Sequence, residues 1–260
     1  MFLLLAIINN SQIHQYIPLY IQFLYNENKS ILEVWVLIMT YSIGVIRVIT
    51  LSNEKALKRH GDIIERTVPE IRTISKCIED QPKGIYDEES ERIAIPKIIK
   101  LGKEFEEMKV HGIIISCAGD PGVKKLREIV KIPVIGAGSA TASIALATSD
   151  RVGVLGITNE APKPYIDILG NYLVSYAKPE GITTTLDIEH NIDAIIKAAM
   201  KLKNEGSRVI ALACTGYSTI GIAPIIQQKV NIPVIDPVVA SAIVTYHEVK
   251  RIYELERLVK

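Results

Sequence analysis

The chain has 260 residues, 48% of them hydrophobic, enough for one large domain or two modest ones. Thirty basic residues against 29 acidic ones leave a net charge of +1 without any dense Lys/Arg run, which excludes the footprint of a nucleic-acid binder. Cys77, Cys117 and Cys214 are too few for a disulfide scaffold, form no C-x-x-C pair, and have no zinc-ligand spacing with the five dispersed histidines.

A reduced, cytoplasmic protein without a structural metal is therefore expected. Residues 1–38 differ from the rest. Their opening FLLLAII run is too short to span a bilayer and lacks the basic flank of a secretory signal. A second apolar stretch, 31–39, is interrupted by Glu33. Aromatics crowd this segment: Phe2, Tyr16, Tyr20, Phe23, Tyr25 and Trp35. The segment reads as an upstream extension with Met39 as the true start, and the alternative is a membrane-surface or oligomerisation arm.

From Ser42 onward, short apolar runs alternate with helical patterns, as in a parallel sheet covered by helices. IGVIRVIT (43–50), residues 71–78, HGIIISCAG (111–119) and KIPVIGAG (131–138) form a first set of strands. Before the third lies a helix with Ile98, Gly102, Phe105 and Met108 on one face, which Pro96 is expected to break or begin. RVGVLGIT (151–158), ITTTLDI (182–188), RVIALACTG (208–216) and NIPVIDP (231–237) form the second set. The helix before RVIALACTG carries Ile192, Ile195, Ile196, Ala199 and Leu202 at helical spacing, with Gly206 as its stop. A last amphipathic helix runs from about Pro237, with Ile243, Tyr246, Val249 and Tyr253 as its expected buried face.

The two sets repeat one plan. IGVIRVIT answers VGVLGIT with Gly44 opposite Gly153, IIISCAG answers IALACTG with Cys117 opposite Cys214, and KIPVIGAG answers NIPVIDP with Pro133 opposite Pro233. Three matches in the same order indicate an internal duplication. Ligands of open parallel sheets sit beyond the carboxyl ends of the strands. Each matched cysteine closes an apolar run there, before a small-residue turn, Ala118-Gly119 or Thr215-Gly216. If the halves face each other, two thiols flank one ligand, an arrangement suited to removing a proton from one face of a carbon and returning one to the other. A thiol near pKa 8.5 suits that work, and turn N–H groups can hold the negative charge. No metal or organic cofactor is required. GAGSA (136–140) lacks the full dinucleotide fingerprint.

SCAGDPG (116–122), ACTGYS (213–218), the opening IRVIT strand, the paired IPVI strands and DQPKGIYDEE (80–89) resemble the aspartate/glutamate/hydantoin racemase superfamily, nearest its hydantoin/allantoin branch. The resemblance implies two pseudo-symmetric α/β domains, over 39–148 and 149–236, with the site in the cleft between them and helix 237–260 packing back on the first. It implies cofactor-independent two-base racemisation by Cys117 and Cys214, with Thr50, Ala118, Gly119, Thr158, Thr215 and Gly216 as substrate anchors. One departure leaves the substrate open: relatives tend to carry Asn-Pro-Asn after the first strand, where this chain has Thr50-Leu51-Ser52.

Other residues have simpler readings. Cys77 reads as a small core residue. Asp120 and Asp236 each precede a proline, the pattern of an N-cap with Pro at N1. His60, His111 and His190 show no evident partner. Arg47 fits a carboxylate-binding or an ion-pair role equally.

The expectation is a racemase or epimerase of a small carbonyl-activated substrate such as a 5-substituted hydantoin or an amino-acid derivative, with no nucleic-acid or membrane partner and a homo-oligomeric assembly. A maleate-type cis–trans isomerase and a non-catalytic two-lobed binding protein are the alternatives.

Overall fold

The computed structural model describes residues 40–259, so the expectations for residues 1–38 lie outside the described part. β1 (Tyr41–Arg47) is buried from Ile43 to Arg47, because helices cover both faces of its sheet and leave no solvent side for polar alternation. It pairs in parallel with β2 (Ile71–Cys77) on one side and β3 (Gly112–Ser116) on the other, and β4 (Val134–Gly136) adds beyond β3. A second sheet is built from β5 (Val152–Leu155), β6 (Leu173–Ala177), β7 (Val209–Leu212) and β8 (Val234–Ile235). The orders are β2-β1-β3-β4 and β6-β5-β7-β8, with every pair parallel. The repeat is thus topological as well as sequential, and the α/β architecture is the expected one.

The helices in chain order are α1 (Glu54–Thr67), α2 (Glu88–Glu107), α3 (Val123–Arg127), α4 (Ala137–Thr148), α5 (Lys163–Leu169), α6 (Ile192–Asn204), α7 (Gly216–Ile220), α8 (Ala223–Val230) and α9 (Pro237–Val259). Gly44 and Gly153 do the same job in each half. A Cβ on Gly44 would stand 2.6 Å from the Phe105 ring of α2, and one on Gly153 would meet Ser207, just after α6, before it came within 3.2 Å of Leu202 on α6. Each glycine lets the helix before the third strand close onto the first strand.

Several expectations need correction. ITTTLDI is not a strand: Thr185–His190 is a 3-10 helix. Thr184 and Asp187 form a capping box there, which supplies local bonds that outweigh the β-rich composition. The strand paired to β5 is instead β6, an edge strand. Pro96 lies inside α2 without ending it, since the Asp87/Ser90 capping box fixes the start well upstream. Met108 is the exposed C-cap of α2, and Ile192 is likewise exposed at the start of α6.

In α9, Val238, Ala242 and Val249 are buried among Ile43, Val45, Ile64, Ile71 and Ile114, so the last helix covers one face of the first sheet. Burial of Val249 over Gly112 contributes about 1.5–3 kcal/mol. Ile243 faces the other way. It is 47% exposed and lines a groove of about 510 Å³ with Ile63, Ile144 and Val239. No helix among the described residues is long and apolar enough to cross a membrane.

Candidate active site

β3 ends at Ser116 and β7 at Leu212, so Cys117 and Cys214 both stand at the carboxyl edges of their sheets, beyond the third strand of each half. Cys117 is half-buried and Cys214 buried, and both thiols are free. The two loops touch directly: Thr215 Oγ1 donates to the carbonyl of Ser116 at 3.2 Å, joining residues adjacent to each cysteine.

Burial pushes the Cys117 thiol up to about 12, opposed by the Gly119 N–H and reinforced by the charges of Cys214, Asp120 and Glu91. Burial also raises Cys214, but more donors act against it. The Gly216 N–H donates to its sulfur at 3.4 Å, and the Thr185 hydroxyl and the Tyr217 N–H also favour its thiolate. In the neutral state the Cys214 S–H donates to Thr185 Oγ1 at 3.7 Å. The two thiols therefore differ: Cys117 has acidic neighbours, Cys214 has donors.

Gly216 has to be small. A Cβ there would meet Thr185 Oγ1 and stand 2.6 Å from Ile188 Cδ1, so the 3-10 segment seats directly on the second cysteine loop. In the first half Ala118 is buried, and its carbonyl lies against Gly138 where a Cβ would sit.

Thr158 and Thr50 are further from the sulfurs in role. Thr158 Oγ1 donates to the Glu160 carbonyl at 2.7 Å, while its own carbonyl accepts from the Tyr176 hydroxyl at 2.6 Å. Burial raises the Tyr176 hydroxyl, with its bond to Thr158 opposing the shift and the charge of Cys214 adding to it. Thr50 Oγ1 donates to the Ile78 carbonyl at 2.8 Å and accepts from the Gln81 N–H at 2.7 Å, tying the β1 loop to the β2 loop.

Of the four simpler readings, three change and one holds. Asp120 does not cap the helix it precedes. It has a left-handed φ of 53°, and its carboxylate accepts from the Gly138 and Ser139 N–H groups at 2.7 and 2.8 Å, capping α4 from another loop. Asp236 does cap its own helix, accepting from Val238 and Val239. Cys77 is half-buried at the edge of β2 rather than in the core, its S–H donating to the Leu51 carbonyl at 3.8 Å. Arg47 Nη1 donates to the carbonyls of Ala56 and Leu57, fastening α1 to the end of β1. Burial lowers its guanidinium to about 10, with the nearby Cys77 acting in the opposite sense. Among the described residues no carboxylate pairs with it.

Two histidines have partners that sequence reading missed. His111 Nδ1 accepts from the Ser42 N–H at 3.0 Å. His60 is fully buried between Ser116 Oγ at 2.7 Å and Thr219 Oγ1 at 2.8 Å. Thr185 was also missed, and its signal was the Thr-x-x-Asp pattern at 184–187. Among the described residues no three His, Cys, Asp or Glu side chains gather as a metal-binding group.

Residues 49–243 match the family model described as Asp/Glu/hydantoin racemase. The hydantoin racemase of Pseudomonas sp. (strain NS671) is 27% identical over 206 residues, covering 74% of this chain and 79% of that protein. The hydantoin racemase of Rhizobium meliloti is 26% identical over 170 residues, 62% of this chain and 70% of that protein. Among solved structures, an allantoin racemase from Klebsiella pneumoniae aligns with a TM-score of 0.71 at 21% identity, covering 80% of this chain and 87% of that one. At that identity the likeness shows the fold.

Proposed function

This chain belongs to the Asp/Glu/hydantoin racemase family and is an isomerase, and from that premise we propose that it racemises an amino-acid derivative such as a 5-substituted hydantoin with Cys117 and Cys214 as its two bases. The observation that carries this reading is the pair of free thiols at equivalent strand ends, on loops joined by the Thr215–Ser116 bond, with the charge of Cys214 acting on Cys117. One thiolate takes the proton from the stereocentre, and the bonding pair moves into the adjacent carbonyl. The opposing thiol returns a proton to the other face, which regenerates the carbonyl and inverts the centre.

The unequal surroundings support a division of labour. Burial raises both thiols, but three donors oppose the rise at Cys214, whereas the charges of Asp120 and Glu91 add to it at Cys117. Cys214 is therefore the one that ionises to act as base, and Cys117 is the acid. Thr215, Gly216, Ala118 and Gly119 supply the main chain along which the substrate lies, and Thr158 and Thr50 border it. No step calls on a cofactor.

The test is racemisation in heavy water across 5-substituted hydantoins, allantoin, aspartate and glutamate. Inversion of one substrate class with one deuterium at the stereocentre supports the reading. Tight binding without exchange makes the protein a small-molecule binder, and conversion of maleate makes it a cis–trans isomerase.

A further inference from the structure

His60 on α1 belongs to the first half, and Thr219 on α7 to the second. Their bond, 2.8 Å from Nε2 to Oγ1, is one side of a closed ring. Thr219 Oγ1 donates to the Thr215 carbonyl at 3.5 Å, and Thr215 Oγ1 donates to the Ser116 carbonyl at 3.2 Å. Ser116 Oγ lies 2.7 Å from His60 Nδ1 and completes the circuit.

One arrangement of protons gives every hydroxyl of the ring an acceptor within it. Thr219 gives its hydrogen to Thr215, so its oxygen accepts from His60 Nε2–H. Nδ1 then carries no proton and accepts from the Ser116 hydroxyl. Burial, with the charges of Arg47 and Arg59 adding to it, holds His60 well below the usual histidine range, so the neutral ring that this circuit needs is the resting form. Arg59 Nε reinforces the crossing by donating to the Thr219 carbonyl at 3.1 Å. The ring threads the residue before Cys117 and the residue after Cys214.

We infer that His60 is a positioning residue: with Ser116, Thr215 and Thr219 it fixes the spacing of the two cysteine loops, so that both sulfurs address one stereocentre. The inference rests on the two-cysteine reading above. A misplacement of about 1 Å at a reacting centre costs on the order of 100-fold in rate.

The test uses the full chain with Thr219→Val, which removes two sides of the ring at nearly constant volume, and Thr219→Ser, which restores them. His60→Gln is the second disruption. In heavy water, Thr219→Val and His60→Gln should slow inversion by about 10- to 100-fold with KM little changed. They should also raise the deuterium content of recovered, uninverted substrate, because the cysteine that took the proton exchanges it with heavy water and returns a deuteron to the same face when the opposing thiol is out of reach. Thr219→Ser should behave as wild type in both readouts. Wild-type inversion and an unchanged exchange-to-inversion ratio in Thr219→Val and His60→Gln would overturn the inference while leaving the two-cysteine reading intact. Full inversion in Cys117→Ser or Cys214→Ser would overturn that reading itself.

Discussion

The Asp120 carboxylate occupies the space that a side chain on Gly136 would need. From there it bonds the first free N–H groups of α4. The second half solves the same problem differently, with Asp236 at the equivalent strand end and the hydroxyl of Ser218, on α7 just after the second cysteine, donating to it at 2.8 Å. The capping carboxylate has changed sides between the repeats, but the link from cysteine loop to following helix is kept.

Removing that link is predicted to cost stability. Asp120→Ala should destabilise the fold by about 1–2 kcal/mol, the usual range for a lost cap. Gly136→Ala should also destabilise, because its methyl group displaces Asp120. Urea unfolding measures both. As contacting residues, the two should be non-additive in the double variant, and simple addition would show that they act independently.

The thiols should alkylate in a fixed order. With iodoacetamide, labelling of Cys214 should rise at lower pH than labelling of Cys117, since donors favour the thiolate of the former and acidic groups oppose that of the latter. Each site's own pH profile sets aside the deeper burial of Cys214. Peptide mapping of protein partly labelled at each pH reads the order directly. Asp120→Asn should speed labelling of Cys117 by removing a negative charge, and the reverse order in the wild type would contradict the assignment of base and acid.

Stability should also fall at high pH. The folded-state pKa of Cys117 is raised from 9.0 to about 12, so above pH 9 the unfolded chain loses a proton that the folded one keeps. The unfolded state then binds fewer protons, and unfolding becomes easier as pH climbs toward 12. Denaturant midpoints between pH 8 and 11 should therefore decline less steeply for Cys117→Ala than for the wild type.

Gly216→Ala should injure the site through the 3-10 segment. Its methyl group meets Thr185 and Ile188, and pushing that segment away removes the hydroxyl beside Cys214. Inversion should fall at least tenfold, and Thr185→Val should reproduce part of the loss without the steric effect. Steady-state kinetics on the three proteins checks this.

The cysteines were legible because duplication marks them twice: a strand end with a small-residue turn means little once and much more when its counterpart matches in order. β1, β3 and β4 and their counterparts β5, β7 and β8 were legible for the same reason; β2 was read from its own β-rich run, and β6 was missed as a half-buried edge strand whose alternation is weak. Thr185 was obscured because β-branched residues dominate 182–188, while a single pair, Thr184 and Asp187, decides the local structure. His60 was obscured by distance. Its partners lie 56 and 159 residues away, and no local pattern announces a bond that only tertiary packing creates.

Inversion rates of the single variants Cys117→Ser and Cys214→Ser, measured on the substrate that the wild type racemises, test the central claim most directly. Each substitution should lower the rate by at least about 100-fold, as loss of a general acid or base requires, while circular dichroism and unfolding midpoints stay close to wild type. A single variant that inverts the substrate at the wild-type rate would mean that its sulfur takes no part in the chemistry.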